Sequence, residues 1–262
     1  ARKWGLLLCG ALLVVAASEA AAQPGGRRLY SARSQNFLVS TVDPEFAQQL
    51  VEHAEKMRRE LAIEWLGREL PPLPQPIALT ADQVGPQTLA SGVTEFGFRA
   101  ATPYGIRMVV AGTKERILDS VLPHEILHTV LATHFGRPVI RWADEGCCTT
   151  VEHASERAKQ DKLLIEFLHT GRGIAFNKMF RMEDYPHDLL PLYSQGYSLC
   201  RFLLAQGGKR KFLEYIGQGM ATERWDDVTR QFYGYQDLSD LQVTWLEWVR
   251  QGSPEDVATR GG

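Results

Sequence analysis

The chain of 262 residues has little cysteine and almost no excess charge. Its four cysteines include no Cys-x-x-Cys pair, which argues against a structural zinc site built from cysteines. A net charge of −2 gives no case for nucleic-acid binding, where a strong basic excess is expected. The sequence shows no internal repeat, and a hydrophobic share of 44% is ample for a buried core. These features favour a globular protein whose partner is not a nucleic acid.

Long hydrophobic runs are also scarce. One apolar run, residues 5–17, follows Arg2 and Lys3 and precedes Ala20-Ala21-Ala22. This order is typical of a secretory signal peptide over residues 1–22, cleaved after Ala22. The run is short for a transmembrane helix, which needs about 20 residues, although an uncleaved anchor is the alternative. We therefore expect an exported protein, periplasmic or extracellular, without stable membrane insertion after cleavage.

The segment His124–His128 reads His-Glu-x-x-His and is the strongest chemical signal in the chain. Residues four apart lie on one face of a helix, so the imidazoles of His124 and His128 can point to one metal ion. Glu125 lies one position further round, where its carboxylate can reach a metal-bound water as a general base. The segment predicts a zinc hydrolase site, with an accidental match in a helical protein as the alternative.

A catalytic zinc needs a third protein ligand, and two residues are candidates. His134 has the spacing of the metzincin motif HExxHxxGxxH, but Leu131 stands where that motif has glycine, and a continuing helix turns His134 away. We expect His134 to lie near the helix end, where its charge would suit the dipole. Glu145 follows His128 at a distance that allows a turn and a second helix running back. We prefer Glu145 as the ligand, the alternative being a solvated helix charge.

Three segments in this order resemble the gluzincin zinc peptidases of the peptidase-MA-like group, which includes the aminopeptidase N relatives. They are His124–His128, Trp142–Cys148 and Tyr193–Gly196, similar to the family's HExxH, WxNEGxA and YxKG, and the resemblance covers about residues 115–206. It implies that Glu145 is the third zinc ligand and that Tyr193 donates a hydrogen bond to the oxyanion.

The resemblance gives a role to one further carboxylate. Glu152, seven residues after Glu145, stands where the family places a glutamate that supports the metal ligands from outside. Its alternative is a surface helix charge. The alternative for Tyr193 is a core aromatic, since Tyr193 and Tyr197 are at helical spacing.

The chain departs from the family pattern at several positions. Asp144 replaces the usual asparagine, and Gln195 replaces the usual lysine. Upstream, Gly105–Val109 lacks the glutamate and asparagine of the family's G-x-M-x-N segment. In the family that glutamate anchors the free N-terminus of an aminopeptidase substrate. The resemblance therefore implies a peptidase that is not an aminopeptidase and leaves its substrate class open.

The hydrophobic pattern predicts an α+β fold, with a small N-terminal mixed sheet and a βαβ unit packed on a mainly helical C-terminal part. A single zincin-like catalytic domain would span residues 35–252, with an α/β part (35–113) and a helical part (114–252) that carries a zincin-like active-site helix. A flexible lead-in (23–34) and a disordered tail (253–262) would flank it.

Individual elements follow from periodicity and from capping residues. Strands are expected at 37–41, 77–80, 93–98 and 106–111, with a turn at 102–105. The last strand is expected near the active site, and the resemblance implies that it is an edge strand that aligns the substrate backbone. Helices are expected at 44–66, from Asp119 or Ser120 through the HExxH motif, from the Glu145 segment to about 158, on to 169, through Tyr193, and at 208–218, 222–233 and 237–250. The irregular segment 171–191 is expected to be a lid or specificity loop, and Trp245 and Trp248 are expected to pack in the core.

Removal of the signal peptide would leave three cysteines: Cys147, Cys148 and Cys200. The resemblance puts the Glu145 helix and the Tyr193 helix both around the active site, so a bridge from Cys147 or Cys148 to Cys200 is conceivable. We favour the alternative that all three are small buried hydrophobic side chains.

Together these features predict an exported zinc-dependent peptidase with one zinc ion held by His124, His128 and Glu145. Glu125 would take the proton of the zinc-bound water as it attacks a peptide carbonyl, and Tyr193 would stabilise the oxyanion. The partner would be a peptide or protein substrate, and the oligomeric state is left open. The alternatives are a catalytically inactive exported zinc-binding module and a zinc hydrolase acting on a non-peptide substrate.

Overall fold

The computed structural model describes residues 28–182 and 186–255, and within them the fold is α+β with a five-stranded mixed sheet, as predicted. The described residues form two compact units, one of residues 28–64 and 68–137 and the other of 65–67 and 138–255. No helix in this part of the chain is long and apolar enough to cross a bilayer. The predicted signal peptide, residues 23–27 of the lead-in and residues 256–262 of the tail lie outside the described residues.

The first unit is built on the sheet, with strand order β1-β2-β3-β5-β4. The strands are β1 (Tyr30–Arg33), β2 (Phe37–Thr41), β3 (Ile77–Gln83), β4 (Ser91–Arg99) and β5 (Thr102–Gly112). β2, β3 and β5 are parallel neighbours, whereas β1 and β4 pair antiparallel at the two edges. β2 has its predicted bounds, but β1 occupies residues where the sequence predicted a flexible lead-in, because its backbone pairs with β2.

Helix α1 (Pro44–Leu66) connects β2 to the parallel β3 and completes the predicted βαβ unit. Its start follows from local chemistry. The Asp43 carboxylate accepts hydrogen bonds from the backbone N–H groups of Glu45 (3.0 Å) and Phe46 (3.1 Å), and Pro44 has no N–H to satisfy. Apolar residues at helical spacing, including Phe46 and Leu50, are fully buried.

The hairpin between β4 and β5 corrects two predictions. The turn lies at Ala100–Ala101, both with positive φ (48° and 59°), because Thr102–Tyr104 pairs with β4 as part of β5. β5 lies between β3 and β4, so the edge strand is β4 and not the predicted strand at 106–111. Periodicity finds strands, but the pairing partners decide where a hairpin turns and which strand lies at the edge.

The helix that carries the HExxH motif begins earlier than predicted. Thr113 caps α2 (Lys114–Arg116), which continues through a π-helical turn (Ile117–Val121) into α3 (Leu122–Phe135). The predicted caps, Asp119 and Ser120, therefore lie inside the helical run. At the end of the π-helical turn, the Leu122 N–H donates to the Ile117 carbonyl, and the next residue, Pro123, has no N–H to donate. α3 packs on β4 and β5 and so belongs with the sheet rather than with the later helices.

The second unit is helical. It contains α4 (Arg141–Thr150), α5 (Ala154–His169), α6 (Phe176–Met179), α7 (Leu190–Thr222), α8 (Trp225–Tyr233) and α9 (Leu238–Arg250). The Glu145 helix ends at Thr150 rather than near residue 158, since β-branched residues at 149–151 disfavour a helix and His153 caps α5. α7 bends at Gly208, whose φ is +70°. Trp245 and Trp248 are buried, as predicted.

The segment before α7 was predicted to be a lid or specificity loop, and its described part is anchored at three points. The Gln195 side-chain amide accepts a hydrogen bond from Ile174 N–H (2.8 Å) and donates one to the Ile174 carbonyl (2.6 Å). Arg172 forms a bidentate ion pair with Asp188, in which Nε donates to Oδ2 (2.9 Å) and Nη2 donates to Oδ1 (2.8 Å). The Phe176 N–H donates to the Gln242 side chain on α9 (2.8 Å). Gln195, where the resembling family has lysine, thus fixes this segment against α7.

Candidate metal centre and catalytic residues

The two motif histidines lie next to each other on the buried face of α3. His124 is 6% exposed and His128 is 1% exposed, and their ring centroids are 5.0 Å apart. The four-residue spacing accounts for this, because it returns each side chain to the same face of the helix. The structure therefore brings together the two imidazoles that the sequence singled out as metal ligands.

Glu125 is held in the same region by a residue that the sequence analysis missed. Its carboxylate is 1% exposed, and Thr94 Oγ1 on β4 donates a 2.6 Å hydrogen bond to Glu125 Oε2. Gly92, two residues earlier on β4, makes room for the carboxylate. A Cβ at Gly92 would lie 2.7 Å from Glu125 Cγ and 2.8 Å from Cδ, which no real contact permits. Strand β4 therefore provides both the space for Glu125 and a donor that orients it.

The sheet register explains why Thr94 faces α3. Val39, Leu79, Met108 and Thr94 are in register across four strands, and all four side chains are buried on the face that carries the core. Side chains alternate between faces along a strand, so Gly92 shares this face with Thr94. A glycine inside a strand often marks a close approach by another group. Gly92, within the segment Ser91–Thr94, was therefore the sequence feature that could have pointed to this contact.

In the second unit, Glu145 lies on α4 and is fully buried. It is not the solvated helix charge of the alternative interpretation. The residue after it, Gly146, contacts Gly196 on α7: a Cβ at Gly146 would meet the Gly196 carbonyl oxygen, and a Cβ at Gly196 would lie 2.5 Å from the Trp142 carbonyl oxygen. The glycines of the Glu-Gly and Tyr-x-x-Gly segments therefore let the two helices meet at backbone distance.

Tyr193 lies in the first turn of α7 and is 8% exposed, whereas Tyr197, one turn later, is a core residue as expected. Glu152 follows the end of α4 and is half-buried.

His134 is exposed in the last turn of α3. Partial burial of its ring and the nearby Arg68 charge lower the pKa of His134, so the charge that was expected at this helix end is disfavoured.

The cysteines of the second unit are also buried. Cys147 is 1% exposed and Cys200 is 0% exposed, and their sulfur atoms are 4.0 Å apart between α4 and α7. Burial and the adjacent Cys200 thiol raise the pKa of Cys147 well above its usual value. Cys148 is also fully buried. As they stand, the three residues behave as the small buried side chains that the sequence analysis favoured.

A separate cleft of about 570 Å³ lies beside α1 in the first unit, and its lining includes neither motif histidine. Its buried polar groups bond to other protein groups. Asn36 donates to both carboxylate oxygens of Glu55 (2.7 and 2.9 Å), and Arg58 donates to the Pro71 carbonyl (2.7 Å). These bonds indicate a structural role for the cluster.

No protein-family model matches this chain, and no curated protein matches it. The resemblance to gluzincin peptidases therefore depends on the three motif segments.

Proposed function

We propose that the chain is an exported zinc-dependent peptidase of the gluzincin type, in which α3 is the zincin-like active-site helix. The observation that carries the proposal is the pair of buried imidazoles on α3, His124 and His128, together with the buried Glu125 carboxylate on the same helix, which accepts a hydrogen bond from Thr94. Burying a carboxylate and two imidazoles on one helix costs free energy, and clusters of buried titratable groups occur preferentially at functional sites.

The donor set fits zinc. Neutral imidazole nitrogens are preferred zinc ligands, and two of them on one buried helix face leave positions for a third ligand and for water. We propose Glu145 as the third ligand, because it is a fully buried carboxylate in the segment that resembles the family's ligand segment. Cys148, one turn later on α4, is a second candidate that the sequence analysis missed, since its side chain is fully buried and a thiolate also binds zinc.

The bound metal would supply Lewis acidity, which polarises a carbonyl and lowers the pKa of water to about 7. Glu125 would accept the proton of the attacking water and deliver it to the leaving amine as the peptide C–N bond breaks. The Thr94 hydrogen bond to Oε2 would orient the Glu125 carboxylate for this transfer. Tyr193 would donate a hydrogen bond to the oxygen that becomes negative as the carbonyl is attacked.

The edge strand β4 is the proposed binding site for the substrate backbone. Its outer edge is unpaired within the described sheet, and an extended peptide can add to such an edge through main-chain hydrogen bonds. β4 also carries the Thr94 that orients Glu125, so a peptide added there would run past the proposed general base. The missing anchor for a free N-terminus favours cleavage within a chain over removal of single N-terminal residues.

Metal analysis and peptide hydrolysis by the purified chain test the proposal. We expect one zinc per chain and cleavage of members of a broad peptide library. Glu125→Gln should keep zinc and lose hydrolysis by at least 100-fold, because the amide cannot accept the proton. The matched control is Glu60→Gln, since Glu60 lies on the exposed surface of α1 next to Lys56.

The alternatives are separated by the same measurements. A protein without zinc, or a Glu125→Gln variant with full turnover, contradicts the proposal. Zinc bound without cleavage of any peptide indicates the inactive module, unless non-peptide esters or amides are cleaved, which indicates the other zinc hydrolase. Localisation is tested by fusing residues 1–27 to a reporter that is active only after export.

A further inference from the structure

The contact between α4 and α7 brings two cysteines from distant parts of the second unit together. Cys147 and Cys200 are 53 positions apart in sequence, and their sulfur atoms are 4.0 Å apart. Cys200 also lies against the backbone of α4, since its sulfur is 3.9 Å from the Ala143 carbonyl oxygen and would be 2.6 Å from a Cβ at Gly146. The two thiols thus lie where α4 and α7 are in close contact.

The close approach of the backbones makes a covalent bond between these thiols possible. A disulfide has a sulfur–sulfur bond of about 2.05 Å and Cβ atoms about 3.5–4.5 Å apart, so the two backbones must approach closely. Here Gly146 and Gly196 remove the side chains that would hold α4 and α7 apart. The sulfurs of Cys147 and Cys200, now 4.0 Å apart, would have to approach by about 2 Å, and rotation about the Cα–Cβ bonds moves them along this path.

We propose that Cys147 and Cys200 form a disulfide when the protein folds in an oxidising environment, and that Cys148 remains a thiol. Cys148 is the next residue on α4, so its side chain leaves the helix about 100° away from that of Cys147. Because Cys147 and Cys200 are buried in the folded protein, the oxidant must act before α4 and α7 close.

The oxidant can be a small-molecule disulfide such as glutathione disulfide. The thiolate of one cysteine attacks it, forms a mixed disulfide and releases one glutathione thiolate. The second cysteine then attacks the protein sulfur of the mixed disulfide and releases the second. The two protons lost by the cysteines are taken up by the two released thiolates. Two protein thiols are thus oxidised to one disulfide, and the disulfide of the reagent is reduced to two thiols.

The bond would close a loop of 53 residues and would restrict the unfolded chain accordingly. It would also fix α4, which carries Glu145, to α7, which carries Tyr193. That last consequence alone rests on the proposed function. The bond itself can be detected whether or not the protein binds zinc or cleaves peptides.

The test is to refold the full chain from denaturant, either in a mixture of reduced and oxidised glutathione or in excess reductant. Free thiols are then alkylated in denaturant, and peptides are mapped by mass without reduction. We expect a linked pair containing residues 147 and 200 after oxidative refolding only, with Cys148 alkylated. The oxidised protein should melt about 5–10 °C above the reduced protein.

Three variants make the assignment specific. Cys148→Ser should keep the link, whereas Cys147→Ser and Cys200→Ser should abolish it together with the difference in melting temperature. Alkylation of both Cys147 and Cys200 in oxidatively refolded wild-type protein overturns the proposal, as does a link from Cys148 to Cys200. Since the wild-type mass map and Cys148→Ser decide the result, poor folding of the other variants does not leave it undecided.

Discussion

The hydroxyl of Thr94 donates a 2.6 Å hydrogen bond to Glu125 Oε2, although the two residues are 31 positions apart in sequence. Both side chains are buried, at 0% and 1% exposure. A buried carboxylate is oriented by the donors that reach it, and Thr94 is such a donor for Glu125. The proposed chemistry depends on this contact between the edge strand and the motif helix.

Thr94→Val keeps the shape of the side chain and removes the donor. We expect kcat for peptide cleavage to fall roughly 10- to 100-fold with zinc content unchanged, because supporting contacts of this kind have effects of that size. Thr94→Ser restores the donor and should recover most of the activity. Thr80→Val, on the other face of β3, is the matched control. Equal activity of Thr94→Val and wild type would exclude an orienting role.

Gly92→Ala places a methyl group within 2.7 Å of Glu125 Cγ. The carboxylate must move from Thr94, or the strand must shift. We expect the free energy of unfolding to fall by about 1–3 kcal/mol and hydrolysis to be largely lost. Urea denaturation and a peptide assay measure the two effects. Gly85→Ala, where a Cβ would meet nothing within 4 Å, should change neither. An active, stable Gly92→Ala variant would show that Glu125 is not confined as the structure places it.

Removal of zinc should destabilise the fold, since a metal that binds only the native state adds to the free energy of unfolding. At 100 times the dissociation constant, this contribution is about 2.7 kcal/mol. A chelator should lower the melting temperature by about 5–10 °C, and added zinc should restore it. His128→Ala should abolish the response, whereas His169→Ala, at the exposed end of α5, should retain it. A wild-type melting temperature that changes with neither chelator nor added zinc would contradict the metal site.

His134 should make stability depend on pH. Partial burial and the Arg68 charge lower its pKa in the folded protein, so the unfolded chain binds a proton more readily. The free energy of unfolding is therefore unaffected by His134 above about pH 6.5 and falls as the pH drops from there to the lowered pKa. Urea titrations of wild type and His134→Gln at pH 8, 7, 6 and 5 give the difference curve. We expect the free energy of unfolding of wild type to fall relative to that of His134→Gln below pH 6.5. A rise of wild type relative to the variant would contradict this prediction.

Local chemistry in the sequence determined a large part of this protein. The bounds of α1 follow from the Asp43-Pro44 start and a regular apolar face, and β2 follows from a short apolar run. The four-residue spacing of His124 and His128 was sufficient to predict their shared helix face. These predictions succeeded because each depends on residues within a few positions of one another.

Other features were decided only by the tertiary structure. The turn at Ala100–Ala101, the edge position of β4 and the early start of the motif helix at Thr113 all depend on partners that periodicity does not identify. Thr94 and Gly92 acquire their roles only because the sheet register turns them toward α3. The sequence determines which groups can do chemistry, but contacts between residues far apart in the chain determine which group orients them, because burial and hydrogen bonding are set when the elements pack.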